Sequence, residues 1–143
     1  MRLYAAALAL AGCAGTFDVP TGRMPITWQR EGRHGHWDKG GVHLQGWTCG
    51  EDYRRAVAGV PEAEAEMTDC RHSVALYGAM MSVFVLAPLA GIGASEAIDH
   101  KVDGAWFDGG IGIGGAAFLV GFAAAFAAIS QQDQAIDIYN RQL

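Results

Sequence analysis

Two apolar stretches decide the fold of this chain. The first, SVALYGAMMSVFVLAPLAGIGAS, occupies residues 73–95, and the second, GGIGIGGAAFLVGFAAAFAAISQQ, occupies residues 109–132. Neither contains Asp, Glu, Lys or Arg, and each exceeds the roughly 20 apolar residues that a helix needs to cross a bilayer. The rest of a 143-residue chain is too small to bury two such helices. The pattern therefore predicts two antiparallel transmembrane helices, at residues 73–95 and 109–130.

Small residues recur every four positions in both stretches and form rows at helical spacing. A row of this kind gives a helix a flat stripe, along which a second backbone can approach closely in lipid. We therefore expect these residues to form the contact between the two helices. They are Ala87, Gly91 and Ser95 in the first helix, and Gly110, Gly114, Ala117, Gly121 and Ala125 in the second.

The segments around the second helix are polar. Residues 96–108 connect the two helices and carry four acidic residues against one lysine, so we expect an acidic loop. Residues 131–143 form an amphipathic tail. On a helix, Ile136, Tyr139 and Leu143 share one face. That face is predicted to pack against the helix that contains residues 62–71.

Residues 23–72 precede the first apolar stretch and have the composition of a small extracytoplasmic segment. Extended character in residues 23–30 and alternation in residues 42–47 predict two short strands. The polar, glycine-rich residues 31–41 between them are predicted to be a loop. The expected product is a small β-hairpin, which needs a helix to pack against because two strands alone are marginally stable.

A short helical hairpin is predicted after these strands. Thr48 and Glu51 have the spacing of a capping box, with Thr48 as the N-cap. Gly59 is a typical residue just past a helix C-terminus, and Pro61 is favoured in the first turn of the next helix. The second helix of this hairpin is expected to run into the first transmembrane helix.

Cys49 and Cys70 lie at comparable distances on either side of the turn at Gly59. In two antiparallel helices these positions come level, so a disulfide is geometrically reasonable. Stable disulfides form outside the cytoplasm. The pair therefore agrees with a secreted or periplasmic location for this segment.

The N-terminal residues have the parts of a secretory signal peptide. Arg2 precedes a short apolar run, and small residues precede a cleavage point, which assigns residues 1–12 to the signal. The sequence LAGC at residues 10–13 resembles the lipobox of bacterial lipoproteins. That resemblance implies cleavage before Cys13, acylation (palmitate) of its thiol, and a lipid-anchored tether over residues 13–22.

The lipobox combined with two glycine-rich apolar segments resembles the glycine-zipper lipoproteins of bacterial outer membranes. The chain departs from that family in its bulky Met80, Met81, Phe84 and Phe118 and in its less regular glycine repeat. The chain also resembles small two-helix envelope proteins that end in a segment like AIDIYN, here residues 135–140. Neither resemblance implies catalysis or a cofactor.

The orientation of the membrane hairpin presents a conflict. Cleavage before Cys13 would place both ends of the hairpin outside the cytoplasm, so in an inner membrane the acidic loop would face the cytoplasm. Cytoplasmic loops usually carry Lys and Arg instead. An outer-membrane location resolves the conflict and is preferred. The alternative is an uncleaved inner-membrane protein with cytoplasmic termini.

The remaining features favour a structural or interaction protein over an enzyme. The net charge of -5 and the absence of a basic run argue against nucleic-acid binding. GIGIGG at residues 110–115 lacks the Lys-Ser/Thr ending of a phosphate-binding loop. The expected partners are membrane lipid and either a second copy or another membrane protein.

Two alternative functions stay open. His34, His36 and His43, with Asp38, are the only ligand-like cluster, and imidazoles suit Zn or Cu, so a periplasmic metal-binding module is one alternative. An accessory subunit of an inner-membrane complex is the other.

Overall fold

The computed structural model describes residues 19–20, 22–32, 34–46, 48–99 and 105–143, without the side chains of Glu31 and of residues 95–99 and 105–107. Within that part the chain is mainly helical. Its elements are β1 (Ile26–Glu31), β2 (His34–Lys39), β3 (Val42–His43), α1 (Glu51–Val57), α2 (Pro61–Asp99) and α3 (Ala105–Arg141). The predicted signal peptide, the predicted lipidation site Cys13 and all but the end of the tether lie outside the described residues.

The strands form one antiparallel sheet in the order β1-β2-β3. The sequence-based prediction of a loop over residues 31–41 was wrong, because β2 occupies most of that range and is the central strand. In β2, Gly35, Trp37 and Lys39 alternate with polar residues, and only Lys39 is fully buried. Polar residues are tolerated here because one face of an antiparallel sheet can remain in solvent. The polar composition of residues 34–39 therefore resembled that of a loop, although these residues form a strand.

The turn between α1 and α2 follows the prediction, whereas the start of α1 does not. Helix α1 begins at Glu51 with Gly50 as its N-cap and has no side-chain cap, so the assignment of Thr48 as the cap was wrong. Gly59 adopts φ +90°, a conformation that favours glycine, and α2 begins at Pro61.

Helices α2 and α3 are antiparallel along their whole length. Glu62 near the start of α2 accepts a hydrogen bond from Gln142, and Ser73 donates one to Gln131. Further along, Gly110 lies against the backbone at Ala87. The helices also extend beyond the predicted spans, since residues 96–99 belong to α2 and residues 105–108 to α3. The predicted acidic loop is therefore shorter than residues 96–108.

A single buried core lies where the sheet, α1, the start of α2 and the end of α3 meet. We call this part, residues 19–72 and 131–143, the head, and the remainder of α2 and α3 the hairpin. The predicted tail is the last part of α3, and Ile136 and Tyr139 are buried in the head as expected. Leu143, which was assigned to the same face, is instead 45% exposed because α3 ends at Arg141.

Candidate functional site

The contact between α2 and α3 depends on glycines that face backbone atoms. A Cβ atom at Gly110 would lie 2.7 Å from the carbonyl oxygen of Ala87, which is too close for any side chain. At Gly114 a Cβ atom would lie 3.1 Å from the carbonyl oxygen of Phe84. Because both neighbours are backbone atoms, only a shift of a whole helix could make room for a side chain.

The residues of α3 that face α2 recur at alternating intervals of four and three positions. This spacing averages 3.5 residues and keeps the row facing one partner helix, whereas a strict four-residue step drifts around the helix. Ala125, which the sequence placed in the row, lies half-buried beside it. The buried members of the row are Gly110, Gly114, Ala117, Gly121, Ala124 and Ala128.

On α2, the predicted contact residues lie at the same interface where the structure describes them. Gly91 is buried and Ala87 is half-buried. The side chain of Ser95 lies outside the described part. Bulkier Met80 also contributes, since its Cβ would lie 3.1 Å from a Cβ atom at Gly121.

The outward surface of the hairpin is covered by large apolar side chains, which we call the apolar band. Only 6% of the apolar window of α2 and 28% of that of α3 is buried within the protein. By length and composition, both helices are long and apolar enough to cross a membrane. The band includes Leu76, Val83, Phe84, Val85, Leu86 and Leu89 on α2, and Ile111, Ile113, Phe118, Leu119, Val120, Phe122, Phe126 and Ile129 on α3.

A disulfide between Cys49 and Cys70 joins the segment before α1 to α2, with 5.9 Å between the two Cα atoms. Both sulfurs lie against the carbonyl oxygen of Ala128 on α3, at 3.8 and 3.0 Å. The backbone N–H of Cys49 donates to Gln132 Oε1 at 2.7 Å. The disulfide therefore sits where three segments converge, at the end of the head nearest the apolar band.

Lys39 is a buried cation that sequence reasoning placed in a loop. Its side chain is 1% exposed, and its ammonium group donates to the carbonyl oxygen of Ala56. The same group lies 4.7 Å above the ring of Tyr139. Ala56 belongs to the last turn of α1, where unpaired carbonyls favour a cation. Lys39 thus connects β2 to the ends of α1 and α3.

Asn140 attaches the sheet to α3 by hydrogen-bonding to both backbone groups of Ile26, as a residue on a neighbouring strand would. The backbone N–H of Ile26 donates to Asn140 Oδ1 at 2.9 Å, and Asn140 Nδ2 donates to the carbonyl oxygen of Ile26 at 2.8 Å. Sequence reasoning missed this contact, because a single Asn in an amphipathic helix carries no local signal of its partner.

Polar side chains lie at the level where the head meets the apolar band. Ser73 Oγ donates to Gln131 Oε1 at 2.8 Å, and the neighbouring Gln132 is buried. Burial raises the pKa of Tyr53 above its usual value of 10.0, and this effect outweighs a hydrogen bond with Gln132 that acts in the opposite direction. The two consecutive glutamines at the end of the second apolar stretch were the available sequence signal for these polar side chains.

The histidine cluster is brought together only in part. The rings of His36 and His43 stack face to face, with centroids 3.9 Å apart and planes within 8°. In stacked rings the nitrogen lone pairs lie in parallel planes and do not converge on one ion. Among the described residues there is no group of three or more His, Cys, Asp or Glu that could hold a metal.

No protein family, curated protein or solved structure matches this chain.

Proposed function

We propose that this chain is a non-enzymatic membrane protein of the bacterial cell envelope. In this proposal α2 and α3 cross a bilayer as a hairpin, and the head lies beside the membrane. The observation that carries the proposal is the apolar band, which covers both helices outside the head. Exposed apolar patches on soluble proteins rarely exceed a few hundred Å². A lipid bilayer is the environment in which exposure of the apolar band is energetically favourable.

The internal side of the hairpin supports the same proposal. Between two helices in lipid there is little hydrophobic drive, so association depends on close packing of small residues. Gly110 and Gly114 against the backbone of α2 meet that requirement. The outward faces are then available to lipid, to a second copy or to another membrane protein, which gives the hairpin a structural or interaction role.

The location that we propose is outside the cytoplasm, with a lipid anchor at Cys13. The LAGC sequence at residues 10–13 provides the anchor motif, and the Cys49–Cys70 disulfide supports an oxidising compartment. Two or more acyl chains hold a protein on a membrane far more stably than one. We favour the outer membrane, because residues 96–108 carry four acidic residues against one lysine, whereas a cytoplasmic loop usually carries Lys and Arg.

Membrane fractionation and protease protection test this proposal. The protein is expected to stay with membranes after extraction with alkaline carbonate. The head is expected to be cleaved only when protease reaches the periplasmic side. Release of the intact protein by carbonate would contradict the transmembrane hairpin, and cleavage of the head only from the cytoplasmic side would reverse the topology.

The anchor is tested separately by labelling with a fatty-acid analogue. Incorporation is expected in the wild-type chain and not in Cys13→Ala. A mature protein that retains Met1 and Arg2 would contradict cleavage at the lipobox but would leave the transmembrane hairpin intact.

A further inference from the structure

The β1–β2 strand pair lies along α3 and points toward the apolar band. Its first residue, Ile26, is hydrogen-bonded to Asn140 near the free end of α3. Two residues further along β1, Trp28 lines a crevice together with Ile129, which is exposed and belongs to the band. Ile129 precedes Asn140 by about three helical turns, or roughly 16 Å along the helix. The strands therefore run from the far end of the head toward the proposed membrane surface.

The sheet face that carries Trp28 becomes more exposed in the same direction. Ile26 and its cross-strand partner Lys39 are buried, whereas Trp28 is 54% exposed. Trp28 pairs with the half-buried Trp37, and their rings meet edge to face with centroids 5.2 Å apart. A Cβ atom at Gly35 would overlap the Trp28 ring, so this glycine allows the indole to lie across β2.

An arginine follows the indoles near the tip of the strand pair, where Glu31 pairs with His34 across the strands. Arg30 lies directly opposite Gly35 and is exposed, and His34 on the other side of the turn is also exposed. Guanidinium groups bind phosphate through well-matched N–H donors. Along β1 the buried Ile26 is thus followed by the exposed indole of Trp28 and then by Arg30. One carboxylate, that of Asp133 on α3, lines the same crevice.

On the premise of the proposed function, we propose that the β1–β2 strand pair is an interfacial anchor whose occupant is the phospholipid headgroup layer. Trp28 sits at the boundary between acyl chains and headgroups, and Arg30 binds lipid phosphate. Two observations carry this assignment: the Trp28 crevice is continuous with the apolar band through Ile129, and the arginine beyond it complements phosphate. Tryptophan is enriched at this depth because its ring is apolar and its N–H is polar.

The experiment uses the full chain in phospholipid vesicles, with Trp28 as the sole tryptophan after Trp37→Phe, Trp47→Phe and Trp106→Phe. The probes are lipids with a quenching spin label near the headgroup or deep in the acyl chain. Trp28 is expected to emit at blue-shifted wavelength and to be quenched more by the shallow label than by the deep one. Quenching by aqueous iodide alone would overturn the proposal, as would protection from both iodide and lipid labels, which would indicate a protein partner or a second copy.

If the triple replacement unfolds the head, the single variant Trp28→Phe in the otherwise intact chain gives the same answer. This variant is expected to lose the part of the shallow-label quenching that Trp28 contributes, and unchanged quenching would overturn the proposal. Flotation of the same vesicles separates the two claims. Protein that floats without lipid contact at Trp28 contradicts the interfacial anchor only, whereas protein that does not float contradicts the transmembrane hairpin.

The arginine is tested in vesicles with and without phosphatidylglycerol. In anionic vesicles, Arg30→Gln is expected to lower the ratio of strand pairs in contact with lipid to strand pairs free of lipid by about fivefold. That is the effect on a binding equilibrium expected from one basic residue at an anionic membrane surface. Arg23→Gln is the matched control, because Arg23 is exposed and precedes β1 at the end of the sheet opposite the tip. An equal effect of the two variants would show that general charge, and not Arg30, is responsible.

Discussion

The hairpin and the head differ in which side chains, small or large, face their interior. In the hairpin, small residues face inward, backbone meets backbone, and the large apolar side chains point outward. In the head, large side chains such as Met67 and Tyr139 are inside, and polar groups such as Lys39 have individual partners. The head therefore has the side-chain arrangement of a protein in water, whereas the outward surface of the hairpin suits an apolar environment. A change in one region should therefore leave the other largely intact.

The largest expected effect is loss of the disulfide, which should act on the head. The bond joins residues separated by 21 positions, and a closed loop of that length stabilises by about 3 kcal/mol in the chain-entropy model. The double variant Cys49→Ser with Cys70→Ser is expected to lower the free energy of unfolding of the head by that amount. Hydrogen exchange should show lost protection in the head and preserved protection in the hairpin.

The redox state of the native chain is checked by alkylation of freshly lysed cells. Cys49 and Cys70 are expected to react only after reduction, as measured on their peptides by mass spectrometry. Free thiols at both positions would place the head in the cytoplasm and would contradict the proposed topology.

The second-largest expected effect is a loss of hairpin stability that leaves the stability of the head unchanged. Gly110→Ala places a methyl group against the carbonyl oxygen of Ala87 and should cost about 2 kcal/mol, a typical value for overpacking. Gly112→Ala is the matched control, because a Cβ atom there meets nothing within 4 Å. Unfolding in mixed micelles with rising SDS is the measurement. An equal change in stability in both variants would show that a general effect of Gly→Ala in a helix, and not the close contact at Ala87, sets the result.

Sequence reasoning succeeded where a pattern is local and repeated. The two apolar stretches, the turn at Gly59 and the Cys49–Cys70 disulfide agree with the structure. Strand β2 was missed because its polar residues match a loop by composition. Lys39 is a core residue because it contacts Ala56 and Tyr139, which are distant in the sequence. Such pairings are non-local, so no spacing within one segment can reveal them.

A smaller effect tests how the sheet is attached to α3. Asn140→Ala removes both hydrogen bonds with Ile26 and is expected to lower head stability by about 1–2 kcal/mol. Asn140→Asp keeps an acceptor for the Ile26 N–H but places a carboxylate oxygen against the Ile26 carbonyl oxygen, so a loss at least as large as that of Asn140→Ala is expected. Thermal unfolding followed by near-ultraviolet circular dichroism reports the environment of the tryptophans. Unchanged stability in both variants would show that the two hydrogen bonds with Ile26 do not hold the sheet to α3.

The smallest effect is a pH dependence confined to the head. Burial raises the pKa of Tyr53 in the folded chain above the value of 10.0 expected when the chain is unfolded. The fold therefore favours the neutral phenol, and this contribution is fully present below pH 10 and is lost as the pH rises through the folded pKa. Head stability should fall more steeply above pH 10 in the wild-type chain than in Tyr53→Phe, which has no phenol to ionise. Denaturant unfolding at stepped pH measures both slopes, and identical slopes would show that the Tyr53 hydroxyl is not desolvated beside Gln132.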